Sequence, residues 1–374
     1  MKKNKVAVLI GTRPGIIKMA PIVHELDRQN IPRLIIHTGQ HYSLNMDKDI
    51  MRDVGLDKAD HQITRPDDCI SHAEQTAYML VKIEEILLEQ KPDVLLVCGD
   101  ANTNLAGALA ARKIHVKVGH VEAGLRSFDW RMPEEHNRII IDHISEYLFA
   151  PTSLSREHLV RDGVRGDIFV VGNTIVDATL EHARIARETQ APFVLEMTGG
   201  QPFCLLTLHR EENVDNNAVV SGIISSLEHI ANVSSKQIIF PLHPRTKKRF
   251  EEFGLFAKIS GIKGLKIVEP LGYLNFIAML EKASAVFTDS GGIQEESCIL
   301  QVPCLTLRTS TERPETIDVG ANRLAGTDPE KIISVFNEMM SEKSEKKWPN
   351  PYGDGQTSRR IVETCLFGKP KDEL

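Results

Sequence analysis

The sequence predicts an α/β protein made of two doubly wound domains. Apolar runs such as residues 94–98 contain no alternating polar positions, which is typical of strands buried on both faces of a parallel sheet. Each run is followed by a glycine or polar turn and then by an amphipathic segment, so β–α–β units are expected. The same rhythm restarts after Gly172, which predicts a second domain of the same kind.

The elements follow from these alternations, in order along the chain. In the first domain we predict strands at 6–10, 33–37, 94–98, 116–120, 147–150 and 168–171, and helices at 14–29, 72–89, 103–113 and 134–143. In the second we predict strands at 204–207, 237–241, 266–268, 285–288 and 304–307, and helices at 216–231, 245–253, 273–280, 292–300 and 329–340. Residues 190–201 are predicted as a looser polar stretch, and 356–367 as a helix that crosses back. The N-terminal domain would then comprise 1–172 with 356–374, and the C-terminal domain 173–355.

Length and composition agree with this division and exclude several classes. A chain of 374 residues exceeds one domain of about 150, and 41% hydrophobic residues supply a core for each. The formal charge of −6 provides no positive field for nucleic acid or an anionic membrane, so neither is expected as a partner. Six cysteines without a C-x-x-C pair predict buried thiols in a reducing cytoplasm. The apolar run 6–10 is too short for a signal peptide.

Ligands of open α/β sheets bind beyond the carboxyl ends of the strands, so the residues that come directly after each strand are the candidate site. Two such domains are expected to face each other across a cleft. After the first strand, Arg13 and Lys18 stand at the start of a helix, a position that suits an anionic group. This turn is not G-x-G-x-x-G, so NAD binding is disfavoured. The alternative to an anion-binding role for Arg13 and Lys18 is a plain strand-to-helix turn with a surface lysine.

Three carboxylates follow strands or open a helix in the first half. Asp100 could cap the next helix, and Glu134 could be an ordinary first-turn acid paired with Arg138. Together with Glu122, however, they make three carboxylates at one sheet edge, which predicts general acid–base chemistry. Carboxylates in a cluster raise one another's pKa, so one stays protonated while another serves as base.

The second half supplies a histidine and a glycine turn. His209 follows a strand and is either a site residue or a structural histidine. In the run 288–296, Ser290, Gly291 and Gly292 separate a strand from a helix, so their backbone N–H groups can hold a phosphate. Glu296 is placed for ribose hydroxyls, and Arg313 for a diphosphate or the domain interface. The alternative is a helix capped by Asp289 or Ser290. No metal motif, Walker loop or G-x-S-x-G elbow occurs, so no metal or cofactor is expected.

Nine motifs in order extend this interpretation. They are GTRP at 11–14, IKMAP at 17–21, GD at 99–100, HVEAGLR at 120–126, PEEHNR at 133–138, GNT at 172–174, DSGGIQEE at 289–296, TERPE at 311–315 and PYGDG at 351–355. The chain closely resembles the non-hydrolysing UDP-N-acetylglucosamine 2-epimerases over nearly its whole length. This resemblance implies twin Rossmann-like domains of the glycosyltransferase-B type, a homodimer, no metal, and elimination of UDP to a 2-acetamidoglucal followed by re-addition.

The resemblance also assigns roles by motif position. It implies that Asp100, Glu122 and Glu134 form the acid–base group and that His209 is a further catalytic or phosphate-contacting residue. It implies substrate-binding roles for Arg13, Lys18, Arg138, Phe276, Ser290, Gly291, Gly292, Glu296 and Arg313, with Phe276 beside uracil and Lys18 near the sugar. Which carboxylate is base in which direction stays open.

Some positions depart from the family pattern. Gly15 stands where many members have Glu, and Gln40-His41 is followed by Tyr42-Ser43 where some bacterial members use Gln-His-Arg-x to bind a regulatory UDP-N-acetylglucosamine. The segment SHAEQT at 71–76 is similar to the archaeal and diacetamido-sugar branches, so a UDP-2,3-diacetamido-glucuronate 2-epimerase is the close alternative. A UDP-sugar-dependent glycosyltransferase and a UDP-sugar sensor without turnover are the more distant ones.

Overall fold

The computed structural model describes residues 4–39, 44–56, 58–64, 66, 69, 71–234, 236–342, 347–372 and 374, with the side chains of 44–48 left out. The departure from the family pattern at residues 40–43 lies outside these residues. The chain divides into two compact units, Met1–Ala178 with Tyr352–Leu374, and Thr179–Pro351. The predicted fold class, two doubly wound Rossmann-like α/β units, is confirmed.

The first unit contains a parallel sheet of seven strands in the order β3-β2-β1-β4-β5-β6-β7. Its strands are β1 Val6–Ile10, β2 Arg33–His37, β3 His61–Gln62, β4 Val94–Cys98, β5 Lys117–Val121, β6 Tyr147–Ala150 and β7 Asp167–Val170. Its helices are α1 Arg13–Arg28, α2 Leu44–Asp53, α3 His72–Gln90, α4 Asn102–Lys113, α5 Pro133–Ile144 and α6 Ser153–Asp162. The strand order reverses between β1 and β4, and this switch point is where open α/β sheets bind ligands.

The second unit repeats the plan with six parallel strands in the order β10-β9-β8-β11-β12-β13. The strands are β8 Phe203–Leu206, β9 Gln237–Pro241, β10 Leu265–Val268, β11 Val286–Thr288, β12 Cys304–Thr306 and β13 Asn322–Leu324. The helices that follow β7 are α7 Thr174–Thr189, which begins in the first unit, and then α8 Ala191–Thr198, α9 Glu211–Val214, α10 Asn217–Val233, α11 Pro244–Glu252, α12 Phe256–Ser260, α13 Tyr273–Lys282, α14 Gly291–Ile299, α15 Pro314–Asp318 and α16 Pro329–Ser341. The last helix, α17 Thr357–Phe367, belongs to the first unit. In the second unit the switch point lies between β8 and β11.

One predicted segment is wrong. The sequence predicts a looser polar stretch at residues 190–201, but helix α8 occupies most of them and ends at Gly199 with φ of 60°. Phe193, Val194 and Met197 pack against buried apolar residues of the second unit's sheet, and their spacing gives α8 an apolar face. The polar residues at both ends of this short helix obscured that face in the sequence.

Tight packing fixes the turn after β1. All five residues of β1 are buried, and Gly11 follows them directly. A Cβ atom on Gly11 would lie 2.2 Å from Oγ1 of Thr38 and 2.5 Å from Oγ1 of Thr103, so no larger residue fits. The two threonine hydroxyls hydrogen-bond to each other at 2.8 Å. Helix α1 therefore starts close to the ends of β2 and α4.

One further sequence expectation concerns the cysteines. The six cysteines are free and buried, as predicted for thiols in apolar surroundings. Burial raises the pKa of Cys204, Cys298 and Cys304 to about 12. Among the helices of the described residues, none is long and apolar enough to span a bilayer.

Candidate active site

The switch point of the first unit carries a buried ion pair. Glu122 follows β5, and Lys18 reaches it from the second turn of α1 with Nζ 2.5 Å from Oε1. Asn173 Nδ2 also donates to Oε1 at 2.8 Å, while Cys98 Sγ lies 3.8 Å from Oε2. Glu122 has φ of 68°, an uncommon backbone conformation for a residue with a side chain. Its carboxylate is thus held from both sides.

Asp100 belongs to the adjacent turn, two residues after β4. The guanidinium of Arg138 donates to Oδ2 of Asp100, and its other terminal nitrogen donates to Oε2 of Glu135 at 2.8 Å. Gly99 brings this turn close to Glu122, because a Cβ on Gly99 would lie 3.4 Å from Oε2 of Glu122. Two carboxylates, each paired with a cation, therefore follow the neighbouring strands β4 and β5.

The other predicted site residues of this unit, Glu134, Arg13 and Arg138, differ in burial and in their partners. Glu134 is exposed in the first turn of α5, and Arg13 is half-buried at the start of α1. Arg138 bonds to Glu135 and Asp100, whereas the sequence had suggested Glu134 as its partner. Glu135 in turn accepts from the backbone N–H groups of Ser127 and Phe128 at 2.9 and 3.1 Å. Arg138 is consequently a rigid link between α5 and the Asp100 turn.

A buried network is centred on His120, two residues before Glu122. His120 Nδ1 is 2.7 Å from Oδ1 of Asp142, and its Nε2 is 3.1 Å from the carbonyl of Gly99. Arg126 contacts Oδ2 of Asp142 at 2.8 Å. Burial by itself lowers the pKa of Arg126, but the charges of Asp142 and Asp162 outweigh it and raise the pKa above its ordinary value. These contacts hold β5 and the Asp100 turn in register.

In the second unit, Asp289 organises the switch point. It is fully buried after β11 and accepts from the backbone N–H groups of His209 and Arg210 at 3.0 and 2.9 Å. His209 Nδ1 lies 3.1 Å from Oδ1 of Asp289, while the histidine side chain is 42% exposed. Burial alone would raise the pKa of Asp289, but the hydrogen bond and charge of His209 lower it. His209 therefore has one ring nitrogen anchored and remains accessible.

The glycine turn opens helix α14 as the sequence predicted. Ser290 is the N-cap residue, without a side-chain cap bond, and Gly291 and Gly292 form the first turn. A Cβ on either glycine would meet nothing closer than 3.8 Å in the protein. The fold itself does not demand glycine at these positions, so the bare N–H groups are open to an approaching anion.

Glu296 lies two turns further along α14, and Tyr273 on α13 donates its hydroxyl to Oε1 at 3.1 Å. Burial, and then the adjacent carboxylate, raise the pKa of Tyr273 well above its ordinary value, so it stays a donor. Phe276 is half-buried one turn after Tyr273 on the same helix. The two aromatic residues thus occupy one face of α13.

Arg313 is held by an acid that the sequence did not single out. Its Nε lies 2.5 Å from Oε1 of Glu295, which is almost fully buried. Glu312, the preceding residue, binds Arg308 through both oxygens at 2.9 and 3.1 Å. Burial alone would raise the pKa of Glu312, yet the hydrogen bonds and charge of Arg308 lower it to about 2. Arg313 and Arg308 are therefore each paired with a buried or partly buried carboxylate, Glu295 and Glu312 respectively.

The structure adds five residues that were not candidates: Glu135, Asn173, Tyr273, Asp289 and Glu295. Each is nine-tenths or more buried and contacts a candidate side chain or its backbone. Four of the five lie inside the recognised motifs, which was the available signal. Within the described residues, no group of three His, Cys, Asp or Glu side chains could hold a metal ion.

Two Rossmann-like units, each with charged side chains at the switch point of a parallel sheet, define the class of α/β enzymes that act on nucleotide-linked substrates. A family model described as UDP-N-acetylglucosamine 2-epimerase matches residues 24–366. The chain belongs to that family. The resemblance inferred from the nine motifs is thereby confirmed, and with it the expectation of an enzyme.

Individual relatives agree with this membership. A UDP-N-acetylglucosamine 2-epimerase of Methanococcus maripaludis is 48% identical over 370 residues, 98% of this chain and 99% of that protein. The crystal structure of Methanocaldococcus jannaschii UDP-GlcNAc 2-epimerase in complex with UDP-GlcNAc and UDP is similar with a TM-score of 0.88 and 49% identity, covering 97% of this chain and 100% of that chain. A UDP-2,3-diacetamido-2,3-dideoxy-D-glucuronate 2-epimerase of Pseudomonas aeruginosa is 37% identical, covering 96% of this chain and 98% of that protein.

Proposed function

We propose that the protein catalyses the reversible C2 epimerisation of UDP-N-acetylglucosamine to UDP-N-acetylmannosamine. The observation that carries this proposal is the pair of cation-held carboxylates, Asp100 and Glu122, after adjacent strands of the first sheet. Membership of the epimerase family, and relatives at 48–49% identity that bear this name, support the choice of substrate.

The proposed mechanism proceeds through elimination. The hydrogen at C2 of a 2-acetamido sugar adjoins no carbonyl carbon, so removing it without a leaving group would be too costly. A base takes the C2 proton, the C1–O bond to UDP breaks, and the electron pair of the C2–H bond forms the C1–C2 double bond of 2-acetamidoglucal. UDP departs with the electron pair of the C1–O bond. In the return step an acid delivers a proton to the other face of C2, and UDP attacks C1 again.

The first unit is proposed to handle the sugar. Asp100, Glu122 and Glu134 form the acid–base group, and the assignment of base and acid among them stays open in both directions. Lys18, Arg13 and Arg138 bind the substrate, and Lys18 and Arg138 also form ion pairs with Glu122 and Asp100.

The second unit is proposed to hold UDP. The backbone N–H groups of Gly291 and Gly292 and the hydroxyl of Ser290 bind the diphosphate, because helix N-termini carry unpaired N–H groups and positive potential. The backbone N–H of Ser290 itself donates to Oγ1 of Thr288 at 3.0 Å. Arg313 and His209 contact the leaving phosphate, and Glu296 and Phe276 bind ribose and uracil. Such preorganised donors stabilise the charge that develops as UDP departs.

The experiment that tests this function is NMR of UDP-N-acetylglucosamine incubated with the protein in D2O. Appearance of the manno epimer with deuterium at C2 is expected. Binding without any exchange, at saturating substrate, would exclude an epimerase and favour a UDP-sugar sensor. Transfer of the sugar to an added acceptor without exchange would favour a glycosyltransferase.

The second candidate function is 2-epimerisation of UDP-2,3-diacetamido-glucuronate. The relative of that name at 37% identity and the SHAEQT segment at 71–76 favour keeping it. The same experiment with that substrate separates the two, since the preferred substrate will show the higher kcat/KM for C2 exchange.

We also propose a cytoplasmic homodimer. Six free, buried cysteines suit a reducing compartment. Val81 and Leu88 on α3 and Ile140 on α5 are exposed apolar residues of the first unit. Sedimentation equilibrium is expected to give twice the chain mass, and the variant V81E/L88E is expected to sediment as a monomer.

A further inference from the structure

We propose that Asn173 is a positioning residue for the acid–base reaction, because its amide sets the position and the proton affinity of the Glu122 carboxylate. This inference rests on the proposed function of Glu122. Asn173 is 1% exposed and lies at the N-cap position of α7, shortly after β7, the last strand of the first sheet. None of the roles implied by the family resemblance involves it.

The orientation of the Asn173 amide is determined by its neighbours. Its Oδ1 accepts a hydrogen bond from the backbone N–H of Ile175 at 3.0 Å, and an N–H group can only donate. The oxygen must therefore face the helix, and the NH2 group must face Glu122, where Nδ2 lies 2.8 Å from Oε1. One side chain thus performs two tasks, a helix cap through its oxygen and a contact with the carboxylate through its nitrogen.

The backbone around Asn173 leaves this side chain little freedom. The N–H of Asn173 donates to the carbonyl of Tyr352 at 2.9 Å. Gly172 has φ of 93°, and a Cβ there would lie 2.9 Å from the same carbonyl and 2.7 Å from Oγ1 of Thr357. The segment that returns from the second unit therefore supports the residue that contacts Glu122, which gives the GNT and PYGDG motifs a shared task.

Two donors converge on one oxygen of Glu122. Lys18 Nζ and Asn173 Nδ2 both contact Oε1, and the thiol of Cys98 lies near Oε2. The titratable groups that face this carboxylate among the described residues include Lys18 from α1 and Cys98 from β4, with Asp100 in the adjacent turn and His120 on β5 bonded to Asp142. Donors on Oε1 favour the ionised carboxylate, so loss of the Asn173 amide must raise its affinity for a proton.

Two substitutions separate the two tasks of Asn173. Ser and Asp are good N-cap residues, so N173S and N173D both retain a cap for α7. N173S only removes the donor to Glu122, whereas N173D puts a second carboxylate in its place. We expect kcat for C2 exchange to fall by about tenfold or more in N173S, the cost of losing a hydrogen bond to a charged group.

The pH profile provides a readout that a purely structural role would not move. In N173D, one limb of the pH dependence of kcat/KM is expected to shift upward by about one unit or more, since a like charge raises proton affinity. If Glu122 is the base, the acidic limb moves; if it is the acid, the basic limb moves. N173S should shift the same limb in the same direction by a smaller amount.

Asn216 offers matched controls, because its Oδ1 caps α10 by accepting from Ala218 N at 3.0 Å and it is exposed. N216S and N216D are expected to leave kcat and both limbs at the wild-type values. UDP affinity, measured by calorimetry, should be unchanged in all four variants. Should N173D not fold, the kcat and limb position of N173S decide alone.

Wild-type kcat and unmoved limbs in folded N173S or N173D would overturn the proposal. That result is distinct from failure of the proposed function, which would appear as an absence of C2 exchange in the wild-type protein itself.

Discussion

Nζ of Lys18 lies 2.5 Å from Oε1 of Glu122, and the two side chains are only 8% and 6% exposed. A buried ion pair of this kind contributes little net stability, because desolvation offsets much of the attraction. Removing one partner is much more costly, since the other charge is left buried and uncompensated. The pair therefore joins α1, which we propose to bind the substrate, to the proposed catalytic group Glu122.

The first prediction concerns this link. K18M is expected to destabilise the first unit by about 3–5 kcal/mol, and K18M/E122Q to regain a large part of the loss. Chemical denaturation followed by tryptophan fluorescence and circular dichroism measures both. K82M is the control, because Lys82 and Glu85 form a solvent-exposed pair, and pairs of this kind contribute little to stability. Equal losses in K18M and K82M would contradict the assignment.

The second prediction separates chemistry from nucleotide binding. D100N and E122Q replace a carboxylate by an isosteric amide, so we expect C2 exchange to disappear while UDP affinity is retained. The physical reason is that the amide cannot accept or deliver the proton, whereas the proposed UDP ligands belong to the second unit. NMR in D2O and calorimetric titration with UDP are the measurements. Near-normal turnover in either variant would remove that residue from the acid–base group.

A third prediction addresses Arg313. R313A is expected to weaken UDP binding by roughly 1.5–3 kcal/mol, the contribution of a charge-assisted hydrogen bond. R323A is the matched control, since Arg323 pairs with Glu342 on a more exposed surface of the same unit. Its UDP affinity should equal that of the wild type. If R313A binds UDP as tightly as R323A does, Arg313 makes no diphosphate contact.

The fourth prediction is a pH dependence of stability. Arg308 lowers the pKa of Glu312 from 4.5 to about 2. A carboxyl group whose folded pKa is depressed stabilises the fold above its ordinary pKa and loses that contribution as the pH falls through the folded value. E312Q should therefore lose less thermal stability than the wild type as the pH falls from 4.5 towards 2. Parallel Tm curves for the two proteins would show that the pair contributes nothing to acid stability.

Much of the fold was predictable because it depends on local patterns. The unbroken apolar runs at β1 and β4 and the helix after each identified a doubly wound fold, and both strands begin and end at the predicted residues. The prediction missed helix α7 with 16 residues and helices α2 and α6 with 10 each, and short strands such as β3 with two residues and β13 with three. Such strands have too few residues to show a period, and pairing with a neighbouring strand is what forms them.

The candidate site likewise has a part that the sequence predicted and a part that only the structure shows. Residue type and position after a strand were enough to single out Asp100, Glu122, His209 and the glycine turn 290–292, because parallel strands bring the turns at their carboxyl ends to one edge of the sheet. The sequence by itself therefore determined the fold class, the family and the types of functional group that lie at each sheet edge. Only the tertiary structure decided which partner holds each group: Lys18 and Asn173 for Glu122, Arg138 for Asp100, and Asp289 for His209. These partners are 38 to 104 residues apart in the chain, and their pairing depends on distances that exist only after the sheets and helices have packed.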